Sequence, residues 1–281
     1  MTFGARLTAA VAERGHLCAG IDPHASLLHE WGLDDTVAGL ERFALTAVEG
    51  LAPHVPVVKP QSAFYERFGS KGIAVLERVV AESRAAGALV LLDVKRGDIG
   101  STSQAYADAY LDPASPLACD AVTVSPFLGF GSLTPFVETA RKHDAGLFVL
   151  ALTSNKEGPE VQHAVPDEGG TVAALMLDHL RRLNEDAREA GTLGSFGAVV
   201  GATIDGVDPS GAAYDFAFNG PILAPGFGEQ GGTTADIARI FGSSAGHVLP
   251  SSSRGLLRRG PSVTALRDAA LATRDELAAL G

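Results

Sequence analysis

The sequence predicts a single (β/α)8 barrel spanning residues 1–281. Three observations carry this expectation. About eight short apolar runs of strand length alternate with segments of helical periodicity. Polar or charged residues recur at the C-terminal ends of those runs, among them Asp22, Lys59, Asp93, Lys95, Ser154 and Arg254. No linker-like or low-complexity break divides the chain. A doubly wound open sheet permits the same alternation. Only a barrel gathers all those strand ends at one mouth, where its active sites form.

The elements follow in order. Phe3, Leu7, Ala10 and Val11 have helical spacing and give a leading helix over 3–14. Residues 16–22 read as the first buried strand, stopped by Pro23. Asp34 stands where a helix N-cap belongs, ahead of Val37, Leu40, Phe43 and Val48. Strand two is 55–60 and ends in Lys59; a helix follows over 73–86. Strand three begins at Ala88. A helix over 101–111, strand four at 121–125, a helix over 133–141 and strand five at 146–152 come next. Gly158, Pro159, Pro166 and a Gly pair make 154–170 a long loop, before a helix over 171–190. Strands six, seven and eight fall at 198–203, 222–225 and 247–250, and an amphipathic helix over 263–280 closes the chain.

Composition narrows the function. Hydrophobic residues make up 46% of the 281, enough for a full core, and the net charge of −11 argues against nucleic acid or an anionic membrane as main partner. A locally positive pocket for a small anion remains compatible with that charge. Cys18 and Cys119 lie in apolar contexts without CxxC spacing, which fits a reducing compartment. No apolar run approaches the roughly 18–20 residues that span a bilayer, and the start of the chain lacks a signal-peptide core. A cytoplasmic protein is expected.

Strand three carries the chemistry. The apolar run from Ala88 to Leu92 passes directly into Asp93, Lys95, Arg96 and Asp98. Side chains alternate along a strand, so Asp93 and Lys95 share one face and Val94 takes the other. Charges buried there are costly unless they pair or line a polar site. An ion pair with Asp98 capping the next helix would satisfy that. Lys59 at the end of strand two adds more: two acids and two bases can then alternate, which keeps both lysines protonated. A protonated lysine in a dry pocket is a general acid or a carbanion stabiliser.

The anion site is expected opposite. Residues 226–231 match G-x-G-x-x-G, yet they follow strand seven and lack the acid about 20 residues on that a dinucleotide site uses. A Gly-rich loop there can instead present backbone N–H groups to a phosphate, with Ser251, Ser252, Ser253 and Arg254 at the same corner after strand eight. None of the eight histidines has HxH or HExxH spacing, so no metal is expected. No Gly-x-Ser-x-Gly elbow or Cys/His pair suggests a covalent nucleophile.

These residues resemble a known family. The run from Asp93 through Ile99 and Gly100 to Thr102 looks like the signature of the orotidine 5′-phosphate decarboxylases. Gly20-Ile21-Asp22, Lys59, the stretch from Pro225 to Gly232 and Arg254 extend the match over essentially the whole chain. Length, Thr153-Ser154-Asn155 and the Ser-Ser-Ser-Arg run resemble the family's longer bacterial class. The resemblance implies cofactor-free decarboxylation of orotidine 5′-monophosphate (OMP) to UMP, the last step of de novo pyrimidine synthesis. By the same resemblance Lys95 would protonate C6 and Asp93 would lie beside the substrate carboxylate. Lys59 would link the network to the ribose, and Asp22 would hold a ribose hydroxyl. Gln230 and Arg254 would grip the phosphate while the Gly loop, Gly231 included, closes over it. Asp98 and Thr102 would reach into the partner's site, which implies a homodimer. The pyrimidine contact falls to Ser154 or Asn155, and Lys156 has no assigned role beyond solvated surface. The alternative is a Mg2+-dependent sugar-phosphate decarboxylase or aldolase of the same superfamily, which would need further acids at neighbouring strand ends.

Overall fold

The computed structural model describes residues 1–167, 169–229 and 231–280. Its eight strands are β1 (Cys18–Ile21), β2 (Val57–Pro60), β3 (Leu89–Arg96), β4 (Ala121–Val124), β5 (Gly146–Leu152), β6 (Phe196–Val200), β7 (Ile222–Pro225) and β8 (Val248–Ser252). Each pairs in parallel with the next, and β8 returns to β1 through Cys18 opposite Ser251, closing the barrel. This is the (β/α)8 architecture that the alternating pattern predicts.

The pleat sorts each strand into two faces. Outward residues such as Val58, Val90, Leu92, Val94, Val122 and Val149 pack under the surrounding helices, for example on Val75, Leu76 and Val79 of the helix Gly69–Ala85. Inward, every strand contributes one residue to a separate apolar layer: Cys18, Val57, Leu91, Ala121, Phe148, Val199, Leu223 and Leu249. Phe3 and Leu7 of the leading helix Phe3–Arg14 plug this layer from below. The Phe3 ring meets Phe148 edge-on at 6.1 Å, a favoured aromatic geometry. Gly146 makes that approach possible, because a Cβ there would lie 2.3 Å from the Phe3 ring. The floor is therefore sealed with apolar atoms, and polar groups can collect only above it.

One pleat higher, two residues along each strand, the inward positions are Gly20, Lys59, Asp93, Thr123, Leu150, Gly201, Pro225 and Ser251. The register keeps them in one layer, with Gly20 opposite Lys59 and Pro225 opposite Ser251. The site rests on this layer.

Local departures from the sequence reading have physical reasons. The second long helix is Val37–Leu51, capped by Thr36, whose hydroxyl accepts the Gly39 N–H at 3.2 Å. Asp34 instead accepts the Thr36 N–H through its carbonyl, so it sits in the preceding turn. The segment expected as one helix over 171–190 divides into Val172–Leu183 and Glu185–Glu189. Asn184 at the break is buried; its amide donates to the carbonyls of Phe196 and Phe218 and accepts the Phe196 N–H. Strand six starts at Phe196 rather than Ala198 because of that anchor. Between β6 and β7 no helix forms, and buried Tyr214, Phe216 and Phe218 cover the barrel there instead. The helix Thr234–Phe241, not anticipated from sequence, begins with a capping box between Thr233 and Asp236. The long loop holds one short helix, Pro159–Gln162. Among the described residues no helix is long and apolar enough to cross a membrane.

Cys18 and Cys119 are both free and buried, and burial pushes each thiol up to about 12. Thiolates are the reactive form. A thiol reagent at pH 8 should therefore modify neither cysteine in the native protein and both after denaturation; rapid native labelling of either would contradict this packing.

Candidate active site

Along β3, Leu91, Asp93 and Lys95 climb the inward face from core to mouth. At Lys95 the strand is irregular: pairing with β4 shifts register between Leu92 and Arg96, and Lys95 takes φ +46°. A bulge of this kind re-aims a side chain, and the left-handed backbone of a non-glycine residue costs on the order of 1–2 kcal/mol. Its result is that the Lys95 ammonium turns back onto Asp93, with Nζ 2.6 Å from Oδ1. The Lys59 ammonium approaches the other oxygen, Oδ2, at 3.1 Å. Thr123 of β4 donates its hydroxyl to Oδ1 at 2.8 Å. Three donors thus converge on one carboxylate.

Burial alone would favour neutral forms here. For Asp93 it raises the carboxyl, but the attraction of Lys59 and Lys95 and the bonds from Lys95 and Thr123 prevail, holding it well below the carboxylate range. Burial lowers the Lys59 ammonium, and attraction to Asp93 and Asp22 prevails again, raising it. Both groups are therefore ionised at neutral pH. Lys59 and Asp93 are nearly sealed, whereas the Lys95 side chain is 44% exposed toward the mouth. Its proton is the one a ligand can meet.

Above this cluster lies a cavity of about 370 Å³, the size of a small-molecule site. Asp22, Lys59, Asp93 and Lys95 form one wall, Ser154 and Asn155 a second, and Gly226, Phe227, Ser253 and Arg254 the far corner. Two buried polar atoms of cavity-lining residues, Asp22 Oδ1 and Ser253 Oγ, have no hydrogen-bond partner among the described residues. Buried polar groups are normally satisfied, so this pair stands out among the residues that line the cavity. Arg254 is exposed at the rim and makes no ion pair among the described residues; neighbouring Glu229 pairs with Arg258.

The Gly-rich loop corrects one expectation. Gly226, Gly228 and Gly231 have φ of +100°, +72° and +90°, a region that L side chains disfavour. Yet the N–H groups of Gly228, Glu229, Gly231 and Gly232 are all bonded to carbonyls of the loop itself. The tight turn consumes them. Arg254 and Ser253 are left as donors at that corner, and Gln230 lies outside the described residues.

Asp98 and Thr102 are not brought to this cavity. The Asp98 carboxylate accepts the N–H of Ile99 at 2.8 Å, and no ion pair links it to either lysine among the described residues. Thr102 is exposed on the helix Gly100–Leu111. Within one chain the alternating cluster is therefore Lys59–Asp93–Lys95, without its second acid. Of the two loop candidates, Asn155 has its amide engaged by Thr153 at 2.6 Å and Glu157 at 3.0 Å. The Ser154 hydroxyl has no such partner among the described residues, and Lys156 is exposed. The sequence reading missed Thr123, Gln61 and His24. His24 lines the cavity against Phe64 at 4.1 Å, and burial lowers its pKa, leaving the imidazole neutral. Thr123 was detectable: it is a polar residue at the inward parity of an apolar strand.

A barrel whose mouth holds a buried Lys–Asp–Lys cluster, with an arginine corner facing it across a small cavity, defines an enzyme of small anionic substrates. The chain belongs to the orotidine 5′-phosphate decarboxylase / HUMPS family, whose profile it matches over residues 15–269. It is 73% identical to an orotidine 5′-phosphate decarboxylase of Nocardioides sp. (strain ATCC BAA-499 / JS614), over 98% of each chain. Against the enzyme of that name from Streptomyces coelicolor identity is 62%, covering 95% of this chain and 94% of the other. A crystal structure from Streptomyces avermitilis, provisionally named for the same activity, superposes with TM-score 0.94 at 62% identity, covering 99% and 95% of the two chains. The Leishmania donovani OMP decarboxylase structure gives 0.77 at 30% identity, covering 100% and 98%.

Removing Asp93 would strand the buried Lys59 charge. Asp93→Ala should lose about 3–5 kcal/mol in urea unfolding, and adding Lys59→Met should recover part of that loss. The pH dependence has a fixed sign. A depressed folded pKa gives stability that is full above the ordinary value of 3.8 and is lost as pH falls below it. Melting temperature should therefore drop more steeply below that pH in the wild type than in Asp93→Asn.

Proposed function

We propose that the chain decarboxylates orotidine 5′-monophosphate to UMP without a cofactor, as the last step of de novo pyrimidine synthesis in the cytoplasm. The observation that carries the reading is the Asp93 carboxylate fixed between two ammonium groups at the floor of the cavity. The names of the relatives supply the substrate.

The chemistry follows from charge placement. Asp93 lies beside the substrate carboxylate, where two negative charges repel in the ground state. As the bond from C6 to the carboxylate breaks, CO2 leaves and the electron pair stays on C6 as a vinyl carbanion. The Lys95 ammonium stabilises that charge and gives its proton to C6; solvent then reprotonates the amine. A pair of unit charges at ~4 Å interacts by about 4 kcal/mol at an effective dielectric near 20, so the fixed geometry around Asp93 matters more than the number of charges. Lys59 connects the cluster to the ribose, and Asp22 offers its unpartnered oxygen to a ribose hydroxyl. Arg254, with Gln230, takes the phosphate, whose binding energy helps close the loop; the Gly231 N–H expected there is already bonded to Gly228. Ser154 is the better pyrimidine contact than Asn155, because its hydroxyl is not already engaged in its own loop.

Asp98 and Thr102 act in the partner of a homodimer. Ile99 is 62% exposed beside them, and on the adjoining loop Phe127 is 74% and Leu128 53% exposed. The two loops touch, since Ser125 donates its N–H to the Arg96 carbonyl at 2.8 Å. Together they present an apolar surface suited to a second copy. The Mg2+-dependent alternative has less support: β2 ends in Lys59, and Asp93 and Glu229 are already paired with cations.

Mixing the protein with orotidine 5′-monophosphate should bleach the orotate absorbance, with no loss of rate in EDTA. An unchanged absorbance at high enzyme concentration sinks the proposal. Lys95→Ala should lower kcat by at least roughly 10²–10⁴-fold, the range for a lost proton donor, while UMP still binds. Mixing inactive Asp98→Ala with inactive Lys95→Ala should restore partial activity through hybrid dimers. No recovery despite demonstrated subunit exchange would place Asp98 in its own chain's chemistry.

A further inference from the structure

Thr123 stands at the centre of the inward layer of β4, 1% exposed. Its hydroxyl is used twice. It donates to Asp93 Oδ1 at 2.8 Å and accepts the backbone N–H of Lys95 at 3.0 Å. The polarity of both bonds is fixed: an ionised carboxylate can only accept, so the single hydroxyl proton goes to Asp93 and a lone pair faces the N–H. The second bond falls at the one irregular point of the β3–β4 pairing. Register is lost between Leu92 and Arg96, so Lys95 lacks a regular ladder partner and has φ +46°. Thr123 takes the place of that partner. Its side chain spans the bulge and the carboxylate together.

We infer that Thr123 is a positioning residue for the decarboxylation proposed above: by tying the bulged Lys95 backbone and the Asp93 carboxylate to one hydroxyl, it sets the direction in which the Lys95 ammonium meets the substrate. The inference rests on that proposed activity. Among the described residues nothing else bonds both groups. The Lys95 ammonium itself bonds only Asp93 among the described residues, and its side chain is 44% exposed. Its aim depends on where its backbone and its carboxylate partner are held.

The test is a three-variant series. Thr123→Val keeps shape and strand propensity but loses both bonds, leaving the half-buried Lys95 N–H without its partner. Thr123→Ser keeps both bonds and loses only a methyl group. Thr139→Val is the control: Thr139 is also buried but bonds Gln104 on the outer surface of the barrel. With the substrate, Thr123→Val should lower kcat roughly 10–100-fold, the size expected for losing a hydrogen bond to a charged group, while KM and UMP affinity stay near wild type. Thr123→Ser should recover most of kcat, and Thr139→Val should leave kcat unchanged. In 15N-lysine spectra the Lys95 ammonium resonance, assigned through Lys95→Arg, should move in Thr123→Val and not in Thr139→Val. A folded Thr123→Val enzyme with wild-type kcat and an unmoved resonance would overturn the inference, as would a failure of serine to rescue. If the wild type does not decarboxylate the substrate, the proposed activity fails instead, and the resonance still reports whether Thr123 sets the Lys95 environment.

Discussion

The structure depends on one buried carboxylate. Asp93 sits directly above an apolar layer and is held ionised only because Lys59, Lys95 and Thr123 reach it from three directions. A charge in such a place is destabilising when alone and tolerable when fully partnered. The partners come from β2, β3 and β4, so these three neighbouring strands must be paired in register before the carboxylate is satisfied. Reactivity and fold are thus coupled through the same atoms. A carboxylate buried at the floor of the cavity is stable there only because two cations are already in place.

Much of the fold was legible because the barrel imposes a simple pattern on the chain. Strands buried on both faces read as short apolar runs, and polar residues just beyond them mark the mouth. The sequence reading lost accuracy where tertiary contacts overrule local signals. Asn184 breaks a segment of helical periodicity because its amide is needed by the backbone of β6 and the loop before β7. The stretch between β6 and β7 carries no helix because aromatic side chains already cover the barrel there. The capping box at Thr233 and Asp236 was a local signal and was readable in principle.

The site was legible to the extent that its residues follow strand parity. Asp22, Lys59, Asp93 and Lys95 were visible as charges at strand ends, and the structure gathers them around one cavity. Thr123 obeys the same parity but is uncharged and lies within its strand, so nothing drew attention to it. The Gly-rich loop shows the opposite case. Its glycines signal a tight turn correctly, but a sequence cannot tell whether the turn's N–H groups face outward or close on one another, as four of them do here. Asp98 and Thr102 belong to a motif whose first half faces inward and whose second half faces away, a change of direction that begins at the bulge.

The Phe3 plug has a consequence for how the chain is assembled and handled. Phe3 and Leu7 close the barrel from below, and Arg6 binds Asp120, the residue just ahead of β4. The helix Phe3–Arg14 therefore has no finished surface to dock on until all eight strands have met. A barrel with a missing or slipped strand offers no complete ring of eight side chains to receive it. For the same reason an extension ahead of Phe3 is attached close to the underside of the apolar layer that carries Asp93. A change made at the foot of the barrel would then press on the same apolar layer that bears the buried carboxylate.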